Sequence, residues 1–211
     1  MTLPDFYVFE INQNTFQYFI DVLIAPSLFA YYWSNTKGKN INLILAFNFL
    51  WAGDLLILFE QSDAYLKWGV FCYWVMQLFL IRNFFNYFRG YSFREHLLGI
   101  LFYGAYLAVF LNHVYGALGD MRIHGVVYGF TLSFFGSFMI MELLKDYSKA
   151  KAYMTVGLFL FSIRDVLLTY NKRYFEEEFF TFPIPIFHAV GFFMLLKSFM
   201  LLENQNIKAI K

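Results

Sequence analysis

Seven long apolar segments, separated by short polar connections, constrain this chain more than any other feature of its sequence. A helix needs about 20 mostly apolar residues to cross the hydrocarbon core of a bilayer, and each segment is close to that length. The segments are residues 16–33, 43–59, 67–85, 97–115, 124–144, 152–170 and 182–202. We therefore expect an all-α bundle of about seven transmembrane helices, forming a single domain over residues 1–211.

The composition excludes the other common classes of protein. Hydrophobic residues make up 60% of the 211 residues and charged residues only 15%, whereas soluble domains average about 45–50% and about 25%. The net charge is +1, and no basic segment interleaves with aromatic residues, so we expect no nucleic-acid partner. Cys72 lies inside an apolar segment and is expected to pack as a small hydrophobic side chain. We therefore expect the protein to be embedded in a lipid bilayer.

The distribution of Lys and Arg predicts the orientation of the bundle. Basic residues are retained on the cytoplasmic side of a membrane. Ten of the 16 basic residues fall at the end of the bundle that carries the C-terminus, four fall at the other end, and Arg164 and Lys197 lie inside segments. We expect the N-terminus outside and the C-terminus in the cytoplasm, in a bacterial cytoplasmic (inner) membrane. Because Lys197 is close to the cytoplasmic end, its side chain is expected to snorkel.

Ionisable side chains inside the apolar segments are the candidates for function, since each costs about 2.5–3.5 kcal/mol on insertion scales. Asp21, Asp54 and Asp165 each lie about five residues from the outer end of a segment. At 1.5 Å per residue they share a depth of roughly 7–8 Å. We expect a polar pocket that opens to the outer leaflet and is lined by Asp54 and Asp165. Asp21 is also compatible with a structural role in which neighbouring hydroxyls satisfy it.

The positions of other polar residues in the outer half do not by themselves indicate a functional site. His113, His124 and Arg122 lie near the interface, where polar tips are common. Arg164 points about 100° away from Asp165 around the helix, so their adjacency does not predict an ion pair.

Two stretches of the sequence resemble motifs of a known family. Residues 51–58, WAGDLLIL, place Asp54 in a stretch similar to a Gly-Asp-x-x-Leu motif, with Ile57 at its last position, and residues 157–171, GLFLFSIRDVLLTYN, place Asp165 in a late pattern that ends six residues later at Asn171. Both resemble signatures of the YhhN-type lysoplasmalogenase family of membrane proteins. The chain departs from that family at Gln77, where many relatives carry His, and at Arg164, where a Ser usually precedes the aspartate. Members of the family usually have eight spans, so the resemblance makes eight possible here as well.

The resemblance implies hydrolysis of the vinyl ether of a lysoplasmalogen to a fatty aldehyde and a glycerophospho head group, with no cofactor and no metal. Such cleavage begins with proton transfer to the alkenyl carbon, and water then attacks the oxocarbenium-like cation. Two carboxylates in one low-dielectric site cannot readily both ionise, so one holds a proton while its partner stabilises the cation and orients water. We predict Asp54 and Asp165 as this catalytic pair, and the sequence leaves open which of them is the acid.

The remaining predicted site residues bind the substrate, a lysophospholipid or other ether lipid. His188 and Tyr128 would orient water or the glycerol hydroxyl, and Arg164 would meet a phosphate, whose geometry suits a guanidinium. The predicted substrate-binding set is Asp21, Tyr73, Gln77, Tyr128, Arg164, Asn171 and His188.

Three alternatives stay open from the sequence. A metal-dependent intramembrane hydrolase would use His113, His124 and His188 with an aspartate, although no two of these histidines share one helix face. A seven-helix receptor or photoreceptor would use Lys197 as a Schiff-base site. A transporter or lipid-binding scaffold would use the buried acids to relay protons.

Overall fold

The computed structural model describes residues 13–58, 63–88, 93–116, 118–170 and 183–209, and the prediction of an all-helical chain is confirmed for them. Each predicted apolar segment corresponds to one α-helix. The helices are α1 (Gln13–Asn35), α2 (Ile41–Leu58), α3 (Asp63–Tyr87), α4 (Phe93–Val114), α5 (Arg122–Lys145), α6 (Lys149–Tyr170) and α7 (Pro183–Ala209), and a 3-10 turn at Gly119–Met121 precedes α5.

Among the residues that the structure describes, three helices are long and apolar enough to cross a membrane by length and composition. They are Ala64–Tyr87, Gly119–Lys145 and Pro183–Gln205. The apolar stretch Ile41–Ile57 of α2 is shorter. Large apolar side chains are exposed on the outside of the bundle, as expected for a surface in contact with lipid; among them are Leu23, Trp68, Leu101, Val109 and Phe130.

Contacts between the helices trace a closed ring of six. α2 packs against α3, α3 against α5, α5 against α6, α6 against α7, and α1 closes the ring by packing against both α7 and α2. α4 packs on the outside of the ring against α5 and touches α6. The interior is filled by large apolar side chains, including Leu50, Met76, Phe135, Leu158 and Phe199. Cys72 is a buried free thiol, as expected.

Glycines allow two pairs of helices in this ring to approach closely. A Cβ atom added at Gly53 would lie 2.6 Å from the ring of Tyr73, so α2 and α3 meet with that aromatic ring directly against the α2 backbone. A Cβ atom added at Gly157 would lie 2.7 Å from the carbonyl oxygen of Gly191, where α6 crosses α7. Small residues that let backbones approach in this way are typical of helix packing in membranes. The first contact places Asp54, the residue after Gly53, beside α3.

Charged side chains join α5 and α6 at the end of the bundle where α5 finishes. Lys151 Nζ lies 3.0 Å from a carboxylate oxygen of the buried Glu142 and 3.7 Å from Asp146, and Lys145 Nζ lies 4.0 Å from Glu142. We call Glu142, Lys145, Asp146 and Lys151 the Glu142 cluster. Lys197 on α7 donates a 2.8 Å hydrogen bond to Tyr31 Oη on α1.

Candidate functional site

Polar side chains from all six ring helices come together inside the bundle. They lie toward the end at which α1, α3, α5 and α7 begin and α2 and α6 finish, because helices that follow one another along the chain run in opposite directions. We call this set the acidic network; its members are Asp21 on α1, Asp54 on α2, Tyr73 on α3, Tyr128 on α5, Arg164 and Asp165 on α6, and His188 on α7.

A chain of hydrogen bonds connects the two predicted catalytic aspartates. Tyr73 Oη donates to Asp54 Oδ1 over 2.6 Å and accepts from a terminal guanidinium nitrogen of Arg164 over 3.1 Å. The other terminal nitrogen of Arg164 lies 3.0 Å from Asp165 Oδ1. The structure thus brings Asp54 and Asp165 into one network, with Tyr73 and Arg164 between them.

The expectation that Arg164 and Asp165 are not a pair is wrong. Their Cβ atoms do point in different directions, but the four torsions of the arginine side chain let its guanidinium turn back toward the carboxylate beside it. The resulting ion pair is almost entirely buried. Asp165 also accepts a 2.5 Å hydrogen bond from Tyr128 Oη, so two donors from different helices hold its carboxylate.

His188 lies between the other two carboxylates of the network. Its Nδ1 faces Asp21 Oδ1 at 3.8 Å, and its Nε2 faces Asp54 Oδ1 at 3.9 Å. The imidazole is fully buried, while the Asp21 side chain is 15% exposed. The expected neighbouring hydroxyls do not satisfy Asp21 Oδ1, which has no hydrogen-bond partner among the described residues.

Several buried polar atoms of the site lack a hydrogen-bond partner in the described part of the chain. These atoms are Asp54 Oδ2, Arg164 Nε and both ring nitrogens of His188, together with both amide atoms of Gln77. Burying a polar group without a partner costs about 1–3 kcal/mol, and such groups normally have a reason for existing. The unpartnered atoms of Asp54, Arg164 and His188 belong to the acidic network.

Comparison with known families tests the family resemblance of the two aspartate motifs. A model of the YhhN family matches residues 16–199, which include every member of the acidic network. The chain belongs to the YhhN family. No curated protein and no solved structure matches it.

The other predicted site residues of this YhhN protein differ in burial, and some lie outside the described residues. Gln77 is buried on α3, one turn beyond Tyr73 on the same face. Asn171 lies outside the described residues, as does the side chain of His113. His124 is exposed at the start of α5. Within the described ranges, no three His, Cys, Asp or Glu side chains are grouped so that they could hold a metal ion.

Sequence reasoning did not single out Ser133, one of several further polar residues in the interior of the YhhN protein. Ser133 on α5 is buried, and its hydroxyl has no partner among the residues that the structure describes. It lies five residues beyond Tyr128, so it is deeper in the bundle along the same helix. A serine in the middle of an apolar segment was the available signal, but serine is common in membrane helices because it can bond to its own backbone.

The charges of the acidic network do not balance if every acid is ionised. Three carboxylates face one guanidinium, so a neutral His188 would leave two uncompensated negative charges in a low-dielectric interior. Uncompensated buried charges are far more costly than a bound proton. The network is therefore expected to hold at least one additional proton.

Proposed function

We propose that this YhhN protein is an intramembrane lipid hydrolase that cleaves the vinyl ether bond of lysoplasmalogens. The products would be a fatty aldehyde and a glycerophospho head group. The observation that carries the proposal is the unequal environment of Asp54 and Asp165 within one buried network, because acid and base chemistry needs two carboxyl groups in different protonation states.

The proposed topology places this network near the outer face of the membrane. It has seven transmembrane helices, with the N-terminus outside and the C-terminus in the cytoplasm of a bacterial inner membrane. The distribution of Lys and Arg supports this orientation. A lysolipid in the outer leaflet would then keep its head group at the interface while its vinyl ether reaches the depth of the aspartates.

Asp165 is the proposed anion of the pair. Arg164 and Tyr128 both donate hydrogen bonds to its carboxylate, and the arginine contributes a full positive charge. Charge-assisted hydrogen bonds of this kind hold a carboxylate in its ionised form. The ionised group would stabilise the oxocarbenium-like cation and accept a proton from the attacking water.

Asp54 is the proposed acid. Its Oδ1 accepts the hydrogen bond from Tyr73, while its buried Oδ2 faces no donor or acceptor of the described chain. A proton on Oδ2 is therefore free to be transferred to a substrate carbon. Asp54 would protonate the alkenyl β-carbon, water would add to the neighbouring carbon and lose its proton to Asp165, and the hemiacetal would collapse to aldehyde and alcohol.

The experiment is an aldehyde-release assay on the purified protein in lipid nanodiscs. The substrates are a lysoplasmalogen and its saturated ether analogue, which cannot form the cation by protonation. We expect aldehyde from the vinyl ether alone, and a loss of about 10²–10⁴-fold in Asp54→Asn and Asp165→Asn. Asp120→Asn, which removes an exposed acid before α5, is the matched control. Absence of aldehyde from the wild-type protein, or full activity in both network variants, would contradict the proposal.

A further inference from the structure

We propose that Asp21 and His188 form a proton relay that reloads Asp54 after each turnover. The inference rests on the proposed function, since it concerns how the acid of that reaction regains its proton. It assigns to Asp21 and His188 a role that does not require contact with the substrate.

The need for a relay follows from the burial of Asp54. Its residue is only 3% exposed, and the ring of Tyr73 packs directly beside it. Once it has given its proton to the substrate, it cannot recover one quickly from bulk water. His188 is also fully buried, but Asp21 on the far side of the imidazole is 15% exposed. Of these three side chains, Asp21 is the one that reaches the surface.

The orientation of the imidazole suits transfer between the two acids. Nδ1 points to Asp21 and Nε2 points to Asp54, so a proton accepted on one ring nitrogen can be matched by a proton released from the other. The distances of 3.8 and 3.9 Å are too long for hydrogen bonds. Hydrogen bonds used in catalysis are often long in a ligand-free site and shorten when the substrate binds. The same ring nitrogens have no other partner in the described helices.

The other side of the network does not offer an equivalent route. Asp165 receives the proton of the attacking water, and its side chain is 13% exposed, so it can release that proton toward the surface. Between Asp165 and Asp54 lies the guanidinium of Arg164, which does not give up protons in proteins. The geometry thus separates release through Asp165 from uptake through Asp21 and His188.

The cycle balances over one turnover. Asp54 transfers one proton to the alkenyl carbon, and the water that adds to the neighbouring carbon transfers one proton to Asp165. Asp165 then loses that proton to the outside. Asp21 takes up one proton and passes it through His188 to Asp54. One vinyl ether and one water give one aldehyde and one alcohol, with no net change in protons on the protein.

The relay predicts a characteristic kinetic signature in rapid-mixing experiments with full-length protein in nanodiscs. In His188→Gln and Asp21→Asn, the first turnover still uses the proton already present on Asp54. We expect a burst of about one aldehyde per protein at nearly the wild-type rate, followed by a steady-state kcat reduced about 10–100-fold. Because the slow step follows the chemistry, KM should fall in the same proportion and kcat/KM should change little. Added imidazole should increase the reduced steady-state rate of the variants, and Asp21→Glu should retain steady-state turnover. His124→Gln and Asp120→Asn are the matched controls.

Each alternative result has a clear meaning. A first turnover slowed as much as the later ones would show that His188 and Asp21 act on the chemistry or on the fold, and would overturn the relay. Wild-type steady-state rates in both variants would also overturn it. If the wild-type protein releases no aldehyde, the proposed function fails first, which distinguishes that outcome from failure of the relay alone. Asp21→Asn changes a partly exposed side chain, so it remains informative if His188→Gln does not fold.

Discussion

Two buried acids in the same bundle, Glu142 and Asp54, have opposite electrostatic surroundings. Glu142 is 6% exposed, and the ammonium of Lys151 lies 3.0 Å from its carboxylate. Asp54 is 3% exposed and forms no ion pair with a lysine or arginine of the described helices. Its nearest polar neighbours are the hydroxyl of Tyr73 and the imidazole of His188.

The difference separates an acid that serves the fold from one that serves the site. The Glu142 cluster joins the end of α5 to the first turn of α6, and its charges compensate one another. Asp54 keeps an oxygen without a partner, an arrangement that lowers stability and is expected where activity requires it. Substitution of Glu142 should therefore affect mainly unfolding, and substitution of Asp54 mainly catalysis.

The largest effect on stability is expected from Arg164→Met, which removes the guanidinium charge from the acidic network. Removing one partner of a buried ion pair destabilises a protein by about 3–5 kcal/mol, because the remaining charge stays buried. Asp165 would be that remaining charge. The measurement is the free energy of unfolding in detergent. The double variant Arg164→Met/Asp165→Asn should recover most of the loss without recovering aldehyde release. A single variant as stable as the wild type would show that Arg164 does not neutralise the network.

The sequence predicted the helices better than their arrangement. The length of an apolar segment is set by the bilayer, so each of the seven segments corresponds to one helix. The ends were less accurate: α7 continues to Ala209, beyond the predicted end at residue 202, because backbone hydrogen bonding does not stop where the sequence becomes polar. The ring of six helices depends on contacts such as Gly157 against Gly191, which hydropathy alone does not specify.

A smaller effect is expected at the other acid. Glu142→Gln should lower the free energy of unfolding by about 1.5–3 kcal/mol, the range for hydrogen bonds that involve charged groups. Aldehyde release should not change, because Glu142 lies at the opposite end of α5 from Tyr128. Thermal unfolding and the aldehyde assay on the same preparation test both halves of the prediction. Lys37→Gln, in the exposed turn between α1 and α2, controls for the loss of a surface charge. Loss of activity without loss of stability would remove the distinction between the two clusters.

The candidate site was predictable in its members but not in their connections. Counting residues along each segment placed Asp21, Asp54 and Asp165 at one depth, and the structure brings them into one network. The position of Tyr73 between Asp54 and Arg164 depends on how α2 packs on α3. The ion pair of Arg164 depends on side-chain torsions, which a helical wheel does not include.

The smallest effect on stability, and the sharpest test of the comparison, is expected from Asp54→Asn. If Asp54 is protonated in the resting protein, asparagine replaces it with a neutral group of the same shape, and its amide oxygen can still accept the hydrogen bond from Tyr73. The free energy of unfolding should then change by less than about 1 kcal/mol, which is the net contribution of a typical neutral hydrogen bond, because one neutral group of similar shape replaces another. The same variant should have lost its aldehyde release. A loss of stability as large as that of Glu142→Gln would show instead that Asp54 is an ionised partner of His188, and the acid would then have to be sought at Asp21 or on His188 itself.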